Sequence, residues 1–291
     1  LLLYSPRVVR ALLERYGVQP QKRWGQNFLI DGNILSKIVN AAELTPEDVV
    51  LEIGAGLGVL TRALAERARV VVAVEKDPRL FAALQETLHD LPNARVVQGD
   101  ALAVSFEDLL THHASCKVVS NLPYSISKPL LQRLIESRSL FSRMVLTVQK
   151  EVAERLTAAP GTKAYGALSV ITQAWMQGEI ISLIPPKCFY PAPEVASAIV
   201  SLVPRPSSLV PSTLERDFLR VVHAAFHERR KTVGNALTTL FPNADKSVAQ
   251  QFLSERGIDP QRRGETLTVE EFARVTEGLS QCRLKRSYEP A

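Results

Sequence analysis

The sequence predicts an α/β fold: a parallel sheet covered on both faces by helices, then a small all-helical domain. Three observations carry this. Short β-branched runs alternate with amphipathic stretches from 48 to 203, the pattern of βαβ units. A glycine-rich turn, Gly54-Ala55-Gly56-Leu57-Gly58, follows the first of those runs and opens a helix. After PRPSSLVPS (204–212), whose prolines and serines break any period, the pattern is helical to the end.

The elements follow in order. Asp31 is placed to N-cap a helix over 32–42. VVLEI (49–53), RVVVAV (69–74), ARVVQ (94–98), KVVS (117–120) and RMVLTVQ (143–149) read as buried strands. Helices are expected near 59–66, 78–89, 127–137 and 150–158. EIISLIP (179–185) and ASAIVSLVP (196–204) are expected to form an antiparallel hairpin at one edge, joined by a Pro-rich loop. Helices near 213–227, 232–240, 245–255 and 268–281 complete the chain. The expected domains are 1–204, including an N-terminal segment 1–30, and 212–291.

Composition narrows the class. A chain of 291 residues with 46% hydrophobic and 22% charged residues can bury a sizeable core. No run of eighteen apolar residues exists to span a membrane, and LLLYSPRVVR lacks the apolar core of a signal peptide. Cys116, Cys188 and Cys282 are far apart and odd in number, as expected of free thiols in a reducing cytoplasm. Neither they nor the histidine pairs have metal-ligand spacing, so no metal is expected. The net charge of +5 is carried at the two ends of the chain, a footprint that suits a phosphate-rich partner.

The chemistry sits at the ends of strands. In LEIGAGLGVLTRAL (51–64) the glycines allow a sharp turn and let a ligand approach the main chain. Glu75, at the end of the next strand, can accept both hydroxyls of a ribose. Together they predict a nucleoside-cofactor site. The Gly-x-Gly-x-Gly spacing is that of S-adenosylmethionine enzymes; it leaves a nicotinamide cofactor open. Asp100, in GDAL (99–102), can accept a bond from an adenine amine or simply cap a turn.

The fourth strand ends in Asn121-Leu122-Pro123-Tyr124. An adenine amine is a poor nucleophile because its lone pair is conjugated with the ring. Acceptors aimed at its two hydrogens help to free that pair. The Asn121 side-chain oxygen can be one, and the Leu122 carbonyl, held by the fixed φ of Pro123, the other. Tyr124 offers a ring face to a base drawn out of its stack.

With these motifs in hand, QNFLID (26–31), LEIGAGLGVLT, VEKD (74–77), GDAL and NLPYSIS (121–127) resemble the KsgA family of ribosomal RNA adenine dimethyltransferases. CFYPAPEVASAIV (188–200), FHERRKTVGNAL (226–237) and GETLTVEEF (264–272) continue the resemblance in order, from about 18 to 280. It implies a Rossmann-like class I S-adenosylmethionine methyltransferase sheet with a helical C-terminal domain. The implied reaction puts two methyl groups on N6 of each of two adjacent adenosines in the 3′-terminal hairpin loop of small-subunit rRNA. A cytoplasmic monomer acting on rRNA or an immature 30S particle is expected. By the resemblance, Asn27, Leu29, Gly54, Gly56, Glu75, Asp100 and Asn121 line the cofactor site. Phe189 would face Tyr124 across the target base. Ser125 and Ala196 stand where the family often has Asn and usually has Asp.

Lys22, Arg23, Arg229, Arg230 and Lys231 are the candidate phosphate contacts, with a solvated charged face as the competing reading. Trp24 stacks on RNA or closes the cofactor site. Rival functions are a large-subunit rRNA methyltransferase of the antibiotic-resistance type and a non-catalytic RNA-binding assembly factor.

Overall fold

A computed structural model describes residues 2–20, 25–111, 115–228, 230–241 and 245–287. The chain packs as two compact units: Leu1–Ala153 with Gly178–Pro204, and Glu154–Gln177 with Arg205–Ala291.

The first unit is built on the strands the β-branched runs predict. They are β2 (Val49–Ile53), β3 (Val70–Glu75), β4 (Ala94–Gln98), β5 (Cys116–Asn121), β6 (Phe141–Gln149), β7 (Met176–Ile184) and β9 (Ser197–Pro204). They form one seven-stranded sheet in the order β4-β3-β2-β5-β6-β9-β7. Pairings from β4 through β6 are parallel, and β9 is antiparallel to β6. All five residues of β2 are buried, as a central parallel strand requires. Each fully buried Val, Leu or Ile there contributes roughly 1.5–3 kcal/mol. Two short strands form a separate ribbon: β1 (Phe28–Leu29) pairs antiparallel with β8 (Phe189–Tyr190).

Helices α1 (Pro6–Arg15), α2 (Gly32–Ala41), α3 (Val59–Ala65), α4 (Pro78–Thr87), α5 (Phe106–Leu109) and α6 (Ser127–Glu136) belong to this unit. Asp31 caps α2 as expected: its Oδ1 accepts from Asn33 N at 2.9 Å and Ile34 N at 3.0 Å. Among the described residues no helix is long and apolar enough to cross a membrane.

The second unit contains the C-terminal half of α7 (Lys150–Thr157), then α8 (Ala167–Trp175), α9 (Glu215–His227), α10 (Val233–Ala236), α11 (Lys246–Ser254) and α12 (Val269–Ser287). The expected helix over 232–240 is a short α10 continued as a 3-10 turn over Leu237–Leu240. Residues 154–177, expected with the sheet, pack with these helices instead. The reason is aromatic. Trp175 meets Phe218 of α9 edge-on at 5.4 Å, and Tyr165 meets Phe226 at 6.3 Å. The Tyr165 hydroxyl also donates to the Leu267 carbonyl at 2.9 Å.

Candidate functional site

β2 lies between β3 and β5, and the chain winds away from it in both directions. Ligands of open α/β sheets bind at such a switch point, outside the C-terminal strand ends. A cavity opens there, and residues from the ends of β2, β3 and β5, the 99–102 turn and the 25–29 segment line it.

The glycine turn is held by its own geometry. Gly54 has φ +76°, and a Cβ on it would stand 3.1 Å from Cγ of Pro123. Only glycine both adopts that φ without strain and admits the proline so closely. The turn and the NLPY loop are therefore packed against each other. Gly56 (φ +61°) donates its N–H to Glu75 Oε2 at 2.9 Å.

Glu75 is 7% exposed. Its Oε1 accepts from Asp77 N at 2.9 Å, so each carboxylate oxygen holds one backbone N–H and keeps a lone pair for a further donor. Burial raises its pKa, and the backbone N–H groups of Asp77, Gly56 and Lys76 oppose the rise. Asp100 accepts from Lys76 Nζ at 2.7 Å and from Leu102 N at 3.0 Å. Its carboxyl is held below the usual range, chiefly by Lys76.

Asn121 ends β5. Its Nδ2 donates to the Asn27 carbonyl at 3.1 Å, which fixes the amide's orientation. Its Oδ1 is buried and has no hydrogen-bond partner among the described residues. An orphaned buried acceptor costs about 1–3 kcal/mol, and because Asn121 lines the cavity a ligand's donor can meet this one there. Leu122 donates its N–H to the Thr147 carbonyl at 3.1 Å. Pro123 has φ −59°. The half-buried Tyr124 follows, its hydroxyl in a short hydrogen bond with Ser197 Oγ. Burial raises the pKa of that phenol.

The N-terminal segment reaches this site by close approach. Gly25 (φ +63°) sits so near the NLPY backbone that a Cβ would fall 2.6 Å from Tyr124 N. Asn27 and Leu29 both line the cavity. Leu29 pairs with Phe189 through the β1–β8 ribbon. Phe189 is 2% exposed, inside the core cluster that also holds Leu29 and Cys188. Thus the cavity gathers Asn27, Leu29, Gly54, Gly56, Glu75, Asp100, Asn121 and Pro123, while Phe189, in β8 of the ribbon, is buried in the core and, like Leu122 and Tyr124, does not line the cavity. Arg230 and Lys231 are exposed in the second unit, and Lys231 pairs with Glu228 at 2.7 Å. Lys22, Arg23, Trp24 and Arg229 lie outside the described residues.

Sequence reasoning missed Glu52. It is 2% exposed, lines the cavity, and leaves Oε2 without a partner among the described residues. Burial pushes its carboxyl up to about 8; the Glu75 charge adds to this and the Thr61 hydroxyl opposes it. The signal was an acid inside the otherwise apolar strand VVLEI.

Comparisons with known proteins bear on this site. The family model described as ribosomal RNA adenine dimethylase matches residues 17–281. The ribosomal RNA small subunit methyltransferase A of Moorella thermoacetica is 47% identical, covering 94% of this chain and 98% of its own. A dimethyladenosine transferase structure from Plasmodium falciparum superposes with a TM-score of 0.76 at 27% identity, over 87% of this chain and 98% of that one. The structure of the 23S rRNA methyltransferase ErmE gives a TM-score of 0.68 at 28% identity, over 88% of this chain and all of that one.

Proposed function

The chain belongs to the ribosomal RNA adenine dimethylase family, and from that premise we propose that it dimethylates N6 of two adjacent adenosines in the 3′-terminal hairpin loop of small-subunit rRNA. S-adenosylmethionine is the methyl donor, and the substrate is small-subunit rRNA, free or in an immature 30S particle. The orphaned Oδ1 of Asn121 supports this reading most directly. Among the described residues it is a fixed acceptor without a partner, in the loop where the target amine has to be oriented.

The residues present fit the donor. Gly54 and Gly56 bring the main chain to the cavity wall without a side chain to fill it. Glu75, braced by two N–H groups, takes the ribose hydroxyls. Asp100 takes the adenine amine. When bound, the cofactor supplies an electrophilic methyl group on a sulfonium.

Asn121 Oδ1 accepts one hydrogen of the target amine, and the Leu122 carbonyl accepts the other. That pulls the nitrogen lone pair out of ring conjugation and aims it for in-line attack. The nitrogen becomes cationic as it gains carbon and then sheds a proton easily, so no strong base is needed. Tyr124 stacks the extruded base, with its ring angle set by Ser197. Phe189 supplies the opposite face once the ribbon shifts to admit the base.

A large-subunit substrate is the weaker reading. The relatives named as small-subunit enzymes are 40–47% identical to this chain, against 28% for the 23S rRNA enzyme. The test is transfer of labelled methyl to immature small subunits and, separately, to large subunits. Label in the small-subunit rRNA alone is expected. Label in the large subunit, or in neither, overturns the proposal.

A further inference from the structure

We infer that Arg133 is a positioning residue for the cofactor's adenine: from α6 it clamps the 100–104 turn so that Asp100 meets the exocyclic amine. The inference rests on the reading of Asp100 given above.

Asp100 begins a closed turn. Its carbonyl accepts from Ala103 N at 2.8 Å and Val104 N at 2.9 Å, and its Oδ1 accepts from Leu102 N. The turn's outer carbonyls point the other way, toward α6. Arg133 meets two of them with its fork: Nη1 donates to Ala101 O at 2.5 Å and Nη2 to Val104 O at 2.8 Å. Its guanidinium lies 4.7 Å from the ring centroid of Phe106. Phe106 is fully buried and packs edge-on against Phe141 at 6.3 Å. The clamp therefore has a rigid floor. A planar fork over an aromatic face is an arrangement lysine cannot reproduce.

Arg133 does not touch the Asp100 carboxylate itself; among the described residues the side chain hydrogen-bonded to it is Lys76. Lys76 is 70% exposed in that pair, and such surface pairs contribute little. The turn's own hydrogen bonds set its shape, and the two Arg133 bonds tie that shape to α6, which Lys76 does not do. Arg133 also belongs to the helix that leaves the NLPY loop, where Ser127 Oγ donates to the Tyr124 carbonyl at 3.1 Å. One helix thus ties the base-capturing loop to the adenine turn. The positive guanidinium also helps to keep Asp100 ionised, after Lys76 and Leu102 N.

The test measures binding of two probes by calorimetry: S-adenosylhomocysteine, and its 6-desamino analogue, in which hydrogen replaces the exocyclic amine. The wild type is expected to prefer the amine-bearing probe by about tenfold, the worth of one charge-assisted hydrogen bond. Arg133→Met is expected to lose most of that preference, binding the desamino probe as the wild type does. Arg133→Lys, which can reach one carbonyl, is expected to recover part of it. Thermal unfolding reports any general loss of stability separately. If Arg133→Met keeps the full preference, or weakens both probes equally, the positioning role is overturned and Arg133 is only a structural tie. If the wild type has no preference for the amine, the role of Asp100 fails first, and Asp100→Asn will be silent too.

Discussion

Glu75 and Asn121 end the two strands that flank β2, at the same edge of the same sheet. They are finished differently. Both oxygens of Glu75 already hold backbone N–H groups. Asn121 has its nitrogen anchored and its oxygen orphaned. A group that holds a ligand through the whole reaction is best braced, and shares its remaining lone pairs. A group that acts on a transient nitrogen is best aimed and left unsatisfied, so that its bond forms only as the reacting geometry forms.

The largest expected effect separates the two. Asn121→Ala should slow single-turnover methyl transfer by about a hundredfold to a thousandfold, with cofactor affinity changed far less. Equal losses in both would erase the contrast. Glu75→Ala should do the reverse. It should weaken S-adenosylmethionine binding by about tenfold to a hundredfold in calorimetry. It should also lower the melting temperature, because the N–H groups of Gly56 and Asp77 lose their acceptor. Unchanged cofactor affinity would remove Glu75 from the ribose.

A control lies outside both strand ends. Replacing Arg230 and Lys231 by Ala should weaken RNA binding severalfold and reduce its salt slope by about 2 in the logarithmic plot, if each touches one phosphate. Cofactor affinity should not move. An unaltered slope would make the pair a solvated face, the reading that the Lys231–Glu228 pair favours.

A separate effect, on stability and not on binding or transfer, concerns Glu52, which lines the same cavity as Glu75, Asp77 and Asp100. Its carboxyl is raised from 4.5 to about 8 in the folded protein. The folded state therefore binds the extra proton between those values, and stability falls as pH rises through that window. Glu52→Gln should flatten this part of the pH–stability profile in denaturant titrations. An identical slope in the variant would show that Glu52 is not the proton carrier.

Much of this was legible in the sequence. β2 coincides with VVLEI, and α2 starts where Asp31 said it should, because a buried parallel strand and an N-cap are local signals. Asn121, Glu75 and Asp100 were legible because strand ends and glycine turns fix where a sheet binds ligands. What escaped depends on distant partners. The β1–β8 ribbon has two residues per strand, too few for any period. Residues 154–177 carry an apolar run whose partners, Phe218 and Phe226, lie some forty to sixty positions away. Arg133 looks like one more surface charge of an amphipathic helix until the carbonyls of Ala101 and Val104 appear beside it.

The central claim is that the Asn121 oxygen, not the amide as a whole, prepares the amine. The most direct measurement is single-turnover transfer to immature small subunits by Asn121→Asp, at saturating cofactor, beside Asn121→Ala. Aspartate keeps an acceptor at Oδ1 and gives up the donor to Asn27. Asn121→Asp loses the anchoring bond and sets a carboxylate oxygen against the Asn27 carbonyl, so it is slower than the wild type, and the account predicts that Asn121→Ala falls at least about tenfold below Asn121→Asp. Two variants equally slow, both binding cofactor as the wild type does, would contradict it.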